Sequence, residues 1–487
     1  MKKIKKVIMI LLIAVAIIGC KNQINVRPYE DYTKTYKNER KQELTELAAI
    51  GNYCLTEEDV EQNLFSFISS KDSSLSRTAV TEKYNISKIG TEKVSLSNIK
   101  SLDRSAAVEP YSDVNFYLYQ ITDNSSASLG YAVLTNDRRI GEIISVTDET
   151  EFSNDISDSP FMQMFCLQLE RYIEETAEIW NSITAEDINK ARSSISDIVS
   201  SPDYEYSILD YYGGNTSNIL TTNWHQWNPY NSAIVNILGA NYPAGCTNIA
   251  MAQIFAFHEY PKNCQENIKK ELNNKWSATQ NWNGNYNWNL MKSNSSASNL
   301  SSTGKMMVCA LIYQIAEGMN SNYGLKETTV KTENNVPYLK SIGYNCDEMT
   351  YYDFNSIKKS IDNNCPVVVA GWSRKRMKEH KFLWWTWETV EKYEDGHTWV
   401  VDGYCNLQCK AINKNNQNDT HNFTSDFVHC NIGWGDDKNG YYVDKVFATT
   451  VGPVTKELED AKNSRASTIS FNGFVYNLKM ITNIRPR

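Results

Sequence analysis

Four short segments carry residue types that can do chemistry together. In Pro243-Ala244-Gly245-Cys246-Thr247-Asn248-Ile249-Ala250, a Pro/Gly turn delivers a Cys to the start of a run with Ala250, Ile254 and Phe257 at helical spacing, closed by Pro261. A thiol at a helix N-terminus meets the positive end of the helix dipole, which favours the thiolate. Beside a His, such a Cys drops from a pKa of about 8.5 to roughly 4–7. Gly396-His397-Thr398-Trp399-Val400-Val401-Asp402-Gly403 reads as a strand that opens with a His. A strand holds an imidazole rigidly, as a general base requires. His429-Cys430-Asn431-Ile432-Gly433-Trp434-Gly435 is a strand running into a Gly-rich turn, where Asn431 can fix the tautomer and orientation of an imidazole. Upstream, Gln226 can supply an oxyanion donor beside the Cys246 backbone N–H. A free Cys is more often a small buried hydrophobe. The Gly-Cys-helix context alone leaves nucleophile and core residue evenly matched.

The other polar residues read differently. His258 lies on the helix after Cys246 and reads as structural. His225 adjoins Gln226, and His429 shares a strand face with Asn431, so both compete weakly as site residues. Asp402 alternates to the strand face opposite His397 and reads as a turn or core hydrogen-bonder. Cys405, Cys409, His421 and Cys430 match no standard zinc spacing, and no metal or cofactor is implied. Of eleven Cys, setting aside Cys20 and Cys246 leaves an odd number, so no complete disulfide set follows.

The elements that must position these residues belong to a chain of 487 residues, 41% apolar and 22% charged, which can bury a substantial core. Its net charge of −8 argues against a nucleic-acid binder that works through bulk positive charge. Lys2, Lys3, Lys5 and Lys6 precede the apolar run Val7–Ile18, too short to span a bilayer. With Gly19-Cys20, residues 1–20 resemble a bacterial lipoprotein signal in which Cys20 is lipidated. That implies export to the cell envelope and a membrane anchor, with the rest of the chain outside the cytoplasm. Residues 21–65 read as a tether with one helical pattern at Leu44, Leu47 and Ala48. Strands are expected at Val114–Ile121, Gly130–Thr135 and Ile140–Val146, and a helix at Phe161–Trp180. Ser193–Asp203 reads as a linker, which places a boundary near residue 205.

The order Gln, Gly-Cys at a helix start, Gly-His on a strand and Asn-x-Gly-Trp-Gly resembles the streptopain family of papain-like cysteine peptidases. The resemblance covers roughly residues 205–487. It rests on Ala244–Ile254 with its trailing His258-Glu259-Tyr260-Pro261, Asn228–Asn231, Tyr286-Asn287-Trp288, Gly396–Tyr404 and Gly433–Gly435. It implies an α+β fold, with a helical subdomain carrying Cys246 facing an antiparallel sheet subdomain carrying His397 and Asn431. It also implies a secreted zymogen whose small α+β pro-domain, within residues 21–205, blocks the cleft of the peptidase at 206–487; Gly130–Val146 resembles that pro-domain. By position, Cys246 is the nucleophile, His397 the general base, Gln226 the oxyanion donor and Asn431 the orienting residue. Gly245, Gly396 and Trp434 line the substrate cleft. The partners implied are protein or peptide substrates and the chain's own pro-domain, not nucleic acid.

The chain departs from the family in three places. Ile432 stands where members carry Trp, Tyr323-Gly324 is followed by Leu325-Lys326-Glu327-Thr328, and Ser373–Asp395 reads as an insertion. The insertion holds Arg374, Lys375, Arg376, Lys378, Lys381 and then Phe382-Leu383-Trp384-Trp385-Thr386-Trp387. It is expected either as a flap on the cleft rim that touches substrate or as a hairpin packed on the domain's own surface. Two other functions stay open. One is a catalytically silent surface-binding or inhibitory protein of the same fold; the other is an acyltransferase of the transglutaminase type.

Overall fold

The computed structural model describes residues 29–51, 53–71, 83–95, 113–149, 151–157, 159–195, 206–215, 218–373, 379–388, 395–413, 416–447 and 478–487. The expected signal segment with Cys20, most of the linker and Arg374–Lys378 lie outside these residues.

The N-terminal half is a four-stranded antiparallel meander with helices around it. Helix α1 spans Tyr29–Ile50 and α2 spans Glu57–Lys71. Strands β1 (Tyr84–Ser95), β2 (Asp113–Asp123), β3 (Ser128–Thr135) and β4 (Ile143–Thr147) follow, then α3 (Pro160–Asn181) and α4 (Ala185–Ile195). Local chemistry starts the helices. Thr56 and Asp59 exchange side-chain and backbone hydrogen bonds across the start of α2, and Thr184 and Asp187 do the same across the start of α4. Ser159 caps α3 and Pro160 occupies its first turn, where a missing N–H costs nothing. Leu44 and Leu47 of α1 are buried, as their spacing predicts.

In the C-terminal half, α5 is Cys246–His258 and α6 is Ser302–Gly318. The strands used below are β5 (Tyr206–Asn215), β6 (Thr350–Tyr351), β7 (Val367–Ser373), β8 (Glu379–Phe382), β9 (Trp385–Glu388), β10 (Asp395–Asn413), β11 (Asn416–Asn431), β12 (Gly440–Val443) and β13 (Lys479–Ile481). Among the described residues both halves contribute to one sheet, in the order β1-β2-β3-β4-β12-β11-β10-β7-β13-β6, with β5 paired to β10. The seam is antiparallel, with Thr147 opposite Gly440, Val146 opposite Tyr441 and Ser145 opposite Tyr442.

Strand alternation then divides the core. Trp399 and Val401 of β10 and Val367 and Val369 of β7 join a cluster with α3 and the meander. Val400 and Val368 point the other way, into a cluster with α5 and α6. Helix α5 is buried all round from Thr247 to Ala256, not only along the Ala250-Ile254-Phe257 stripe, and Phe257 itself is only half-buried. The reason is that α5 packs against both the sheet and α6.

Candidate functional site

Cys246 is the first residue of α5. The preceding Gly245 has φ of 93°, a left-handed conformation that suits glycine, and a Cβ there would sit 2.9 Å from the Thr328 carbonyl. The chain therefore reaches the helix through a turn that only glycine fits. The thiol is bonded to the backbones and hydroxyls of Thr247 and Thr398. Those hydroxyls also meet each other at 3.0 Å, which docks the helix start onto β10. Burial pushes the Cys246 thiol up, and these hydrogen bonds only oppose it. Cys246 is half-buried, and its desolvation outweighs those hydrogen bonds.

His397 lies one residue before Thr398 and on the opposite strand face. Its ring is 3% exposed and packs among aromatics: Phe161 of α3 at 6.3 Å edge-on, Trp399 at 6.2 Å and Trp434 at 6.5 Å. Nε2 lies 2.9 Å from the Ile432 carbonyl. Since a carbonyl only accepts, Nε2 carries the proton and Nδ1 keeps the lone pair. Burial pushes the imidazole down to about 4, with the Ile432 carbonyl opposing. Cys246 and His397 each have their own partners, and neither is a partner of the other. Strand alternation brings Thr398, not His397, to the thiol.

Asn431 does not hold the imidazole. Its amide donates to the Thr222 carbonyl at 2.9 Å, and its oxygen accepts from Gln253 Nε2 at 2.9 Å and from the Gly433 N–H at 3.3 Å. It belongs to the α5 face of the sheet, whereas His397 belongs to the other face. The Ile432 carbonyl, not the Asn431 side chain, is the partner of the imidazole, and the Ile432 side chain is buried in the core. Gln253 is the polar residue that the sequence reading missed. It is fully buried in an apolar helix and also accepts from Thr222 Oγ1 and the Trp224 N–H. A lone Gln in such a helix was the available signal.

Gln226 is half-buried, and its carbonyl accepts from the Ala244 N–H at 2.7 Å, so it lies against the turn that delivers Cys246. Gly396 is half-buried at the start of β10, and Trp434 half-buried beside the His397 ring. His225 Nδ1 accepts from the Trp227 N–H, and His258 Nε2 meets the Ile484 carbonyl at 2.8 Å. His429 Nδ1 meets Asp402 Oδ1 at 2.6 Å, and Asp402 also accepts from the Leu220 N–H. Cys166, Cys246, Cys264, Cys309, Cys346, Cys365 and Cys430 are free thiols.

The N-terminal half braces this region. Lys438 forms a buried ion pair with Glu149. Next to it, Asn439 accepts from the Ile432 N–H at 2.9 Å and donates to the Gly435 carbonyl at 2.8 Å. The seam thus reaches the carbonyl that holds His397. No short sequence pattern marks Phe161, Glu149 or Lys438 as neighbours of the site, because the contacts span hundreds of residues.

Residues 224–442 match the model of the Peptidase C10 family. No curated protein matches the chain. Among solved structures, a prointerpain A fragment of Prevotella intermedia is similar, with a TM-score of 0.43 and 15% identity over 76% of this chain and 96% of that one. The active wild-type interpain A cysteine protease of the same organism is similar with a TM-score of 0.33 and 18% identity, over 55% of this chain and 94% of that one.

Proposed function

Residues 224–442 belong to the Peptidase C10 family, a cysteine-type peptidase family, and from that premise we propose that the chain is the latent form of an exported endopeptidase in which Cys246 and His397 form the catalytic pair. The observation that carries the assignment is Cys246 opening α5 while bonded to Thr398, the neighbour of His397. In the active form, the Cys246 proton passes to His397 Nδ1 and gives a thiolate–imidazolium pair. The thiolate attacks the peptide carbonyl. The Cys246 N–H and the Gln226 amide hold the oxyanion, and His397 returns its proton to the leaving amine. Water then cleaves the thioester and frees the thiol.

Residues 21–205 are the inhibitory pro-domain in this reading. Support comes from Phe161, which belongs to that half and lies on the His397 ring, and from a buried environment that favours the neutral thiol and the neutral imidazole. Latency is then electrostatic and geometric at once. The Lys-rich start, the apolar run and Cys20 support export and lipid anchoring at the cell envelope.

The test is self-processing of chain from Lys21 onward under reducing conditions, followed by intact mass beside Cys246→Ala. Loss of the N-terminal half only where Cys246 is present is the expected result. Proteolysis retained in Cys246→Ala refutes the nucleophile. A silent protein of the same fold is the second reading, favoured by an Asn431 engaged elsewhere. No casein cleavage after trypsin treatment, with Cys246 inert to an epoxysuccinyl inhibitor, would establish it.

A further inference from the structure

The inserted hairpin β8–β9 has the segment Asn154–Ile156 bridged to its outer edge. Its own register pairs Lys381 with Thr386 and Phe382 with Trp385. The free side of Thr386 is used fully: its N–H donates to the Asn154 carbonyl at 2.8 Å, and its carbonyl accepts from the Ile156 N–H at 3.1 Å. This is one rung of a parallel ladder, with Asp155 opposite Thr386. Side chains complete the seat. Ile156 is buried, the Phe152 and Trp385 rings lie 6.1 Å apart, and Trp384 lies against Gly90. The hairpin grips the N-terminal half.

The hairpin also leaves the sheet beside the site. Gly371 pairs with His397, and Ser373 pairs with Asp395, at the two ends of the insertion. Once the N-terminal half departs, the Thr386 N–H and carbonyl lose their partners, and the faces of Trp384 and Trp385 that it covers open to solvent. An unpaired strand edge flanked by aromatics is a template for another extended chain.

We propose that the outer edge of β9 is a strand-accepting exosite for protein substrates, filled in this chain by Phe152–Ile156. It takes an extended segment running parallel to β9, with apolar residues spaced as Phe152 and Ile156 are. The proposal rests on the peptidase reading and adds a substrate site to it. Short substrates that reach only the cleft do not use this edge.

The test uses the full chain incubated until peptidase activity appears, with casein and a short fluorogenic peptide amide as substrates. The probe is a capped peptide of residues 151–157. At millimolar concentration it is expected to inhibit casein cleavage competitively while short-substrate hydrolysis continues, and the same peptide with Ile156→Asp should lose the effect. Thr386→Pro removes the donor, and its ratio of casein to short-substrate kcat/KM should fall about fivefold, in line with the loss of one backbone hydrogen bond. Inhibition of both substrates alike would place the peptide in the cleft and overturn the exosite. So would no inhibition of casein. If neither substrate is cleaved at all, the peptidase reading itself fails and the exosite falls with it.

Discussion

Replacing Phe161 with Ala should convert the latent chain into a rapidly self-processing one. Phe161 is fully buried on α3. Its ring neighbours are Phe165 on its own helix and then His397, Trp399, Tyr442 and Phe447, all from the C-terminal half, with centroids 5.1 to 6.3 Å away. Truncating a buried Phe costs about 3–5 kcal/mol, and here most of that loss falls on contacts between the halves. Even the lower figure shifts the docking equilibrium roughly 150-fold. If undocking limits self-processing, the rate should rise by about two orders of magnitude. The assay is the time course of intact mass from the full chain under reducing conditions, with Phe161→Ala in the Cys246→Ala background as the control for other proteases. Simple destabilisation is separated by following the pH dependence of Cys246 alkylation. Release of the imidazole from its aromatic cover should return a His inflection near its ordinary value of about 6.5. A processing rate equal to the parent's, with an unchanged alkylation profile, would refute the idea that this ring holds the site closed.

Three more outcomes are expected. In freshly purified full chain, the Cys246 alkylation rate should climb steadily with pH through neutrality. Burial raises the thiol and holds the imidazole down at about 4, so no ion pair exists to create a plateau; a flat rate across neutral pH, read on the Cys246 peptide by mass spectrometry, would contradict this. Gln226→Ala in the processed enzyme should lower kcat by about 100- to 1000-fold with little change in KM, as loss of one oxyanion donor does. Lys438→Met should destabilise the Cys246→Ala chain by several kcal/mol at pH about 8, where Glu149 loses the cation that offsets its desolvation. Burial holds the Glu149 carboxyl up at about 7 even with Lys438 in place, and higher without it; towards pH about 5 the carboxyl is protonated in both proteins, so the loss of melting temperature should shrink there.

Much of this molecule is legible from local pattern. Alternation announces β2 and β3, and helical spacing announces α3. The Pro/Gly turn before Cys246 announces a helix start, because Gly245 needs a conformation other residues rarely adopt. Gly396-His397 announces the strand that bears the imidazole. These features depend on backbone preference and on neighbours a few residues apart, which one chain segment contains in full. The facing of His397 away from Cys246 and the engagement of Asn431 by Gln253 depend on which sheet face each side chain enters. Desolvation is equally non-local: the pKa of a thiol at a helix terminus turns on what covers it, here segments up to 151 residues apart along the chain, as in the Thr247–Thr398 contact. The hairpin's aromatic residues are visible in the sequence, but their occupant is not, since Thr386 meets Asn154, 232 residues earlier. Residue type and spacing determined which groups are able to react. Only the tertiary structure decided that, in this form, strand alternation on β10 sends His397 away from Cys246 and into aromatics drawn from both halves of the chain.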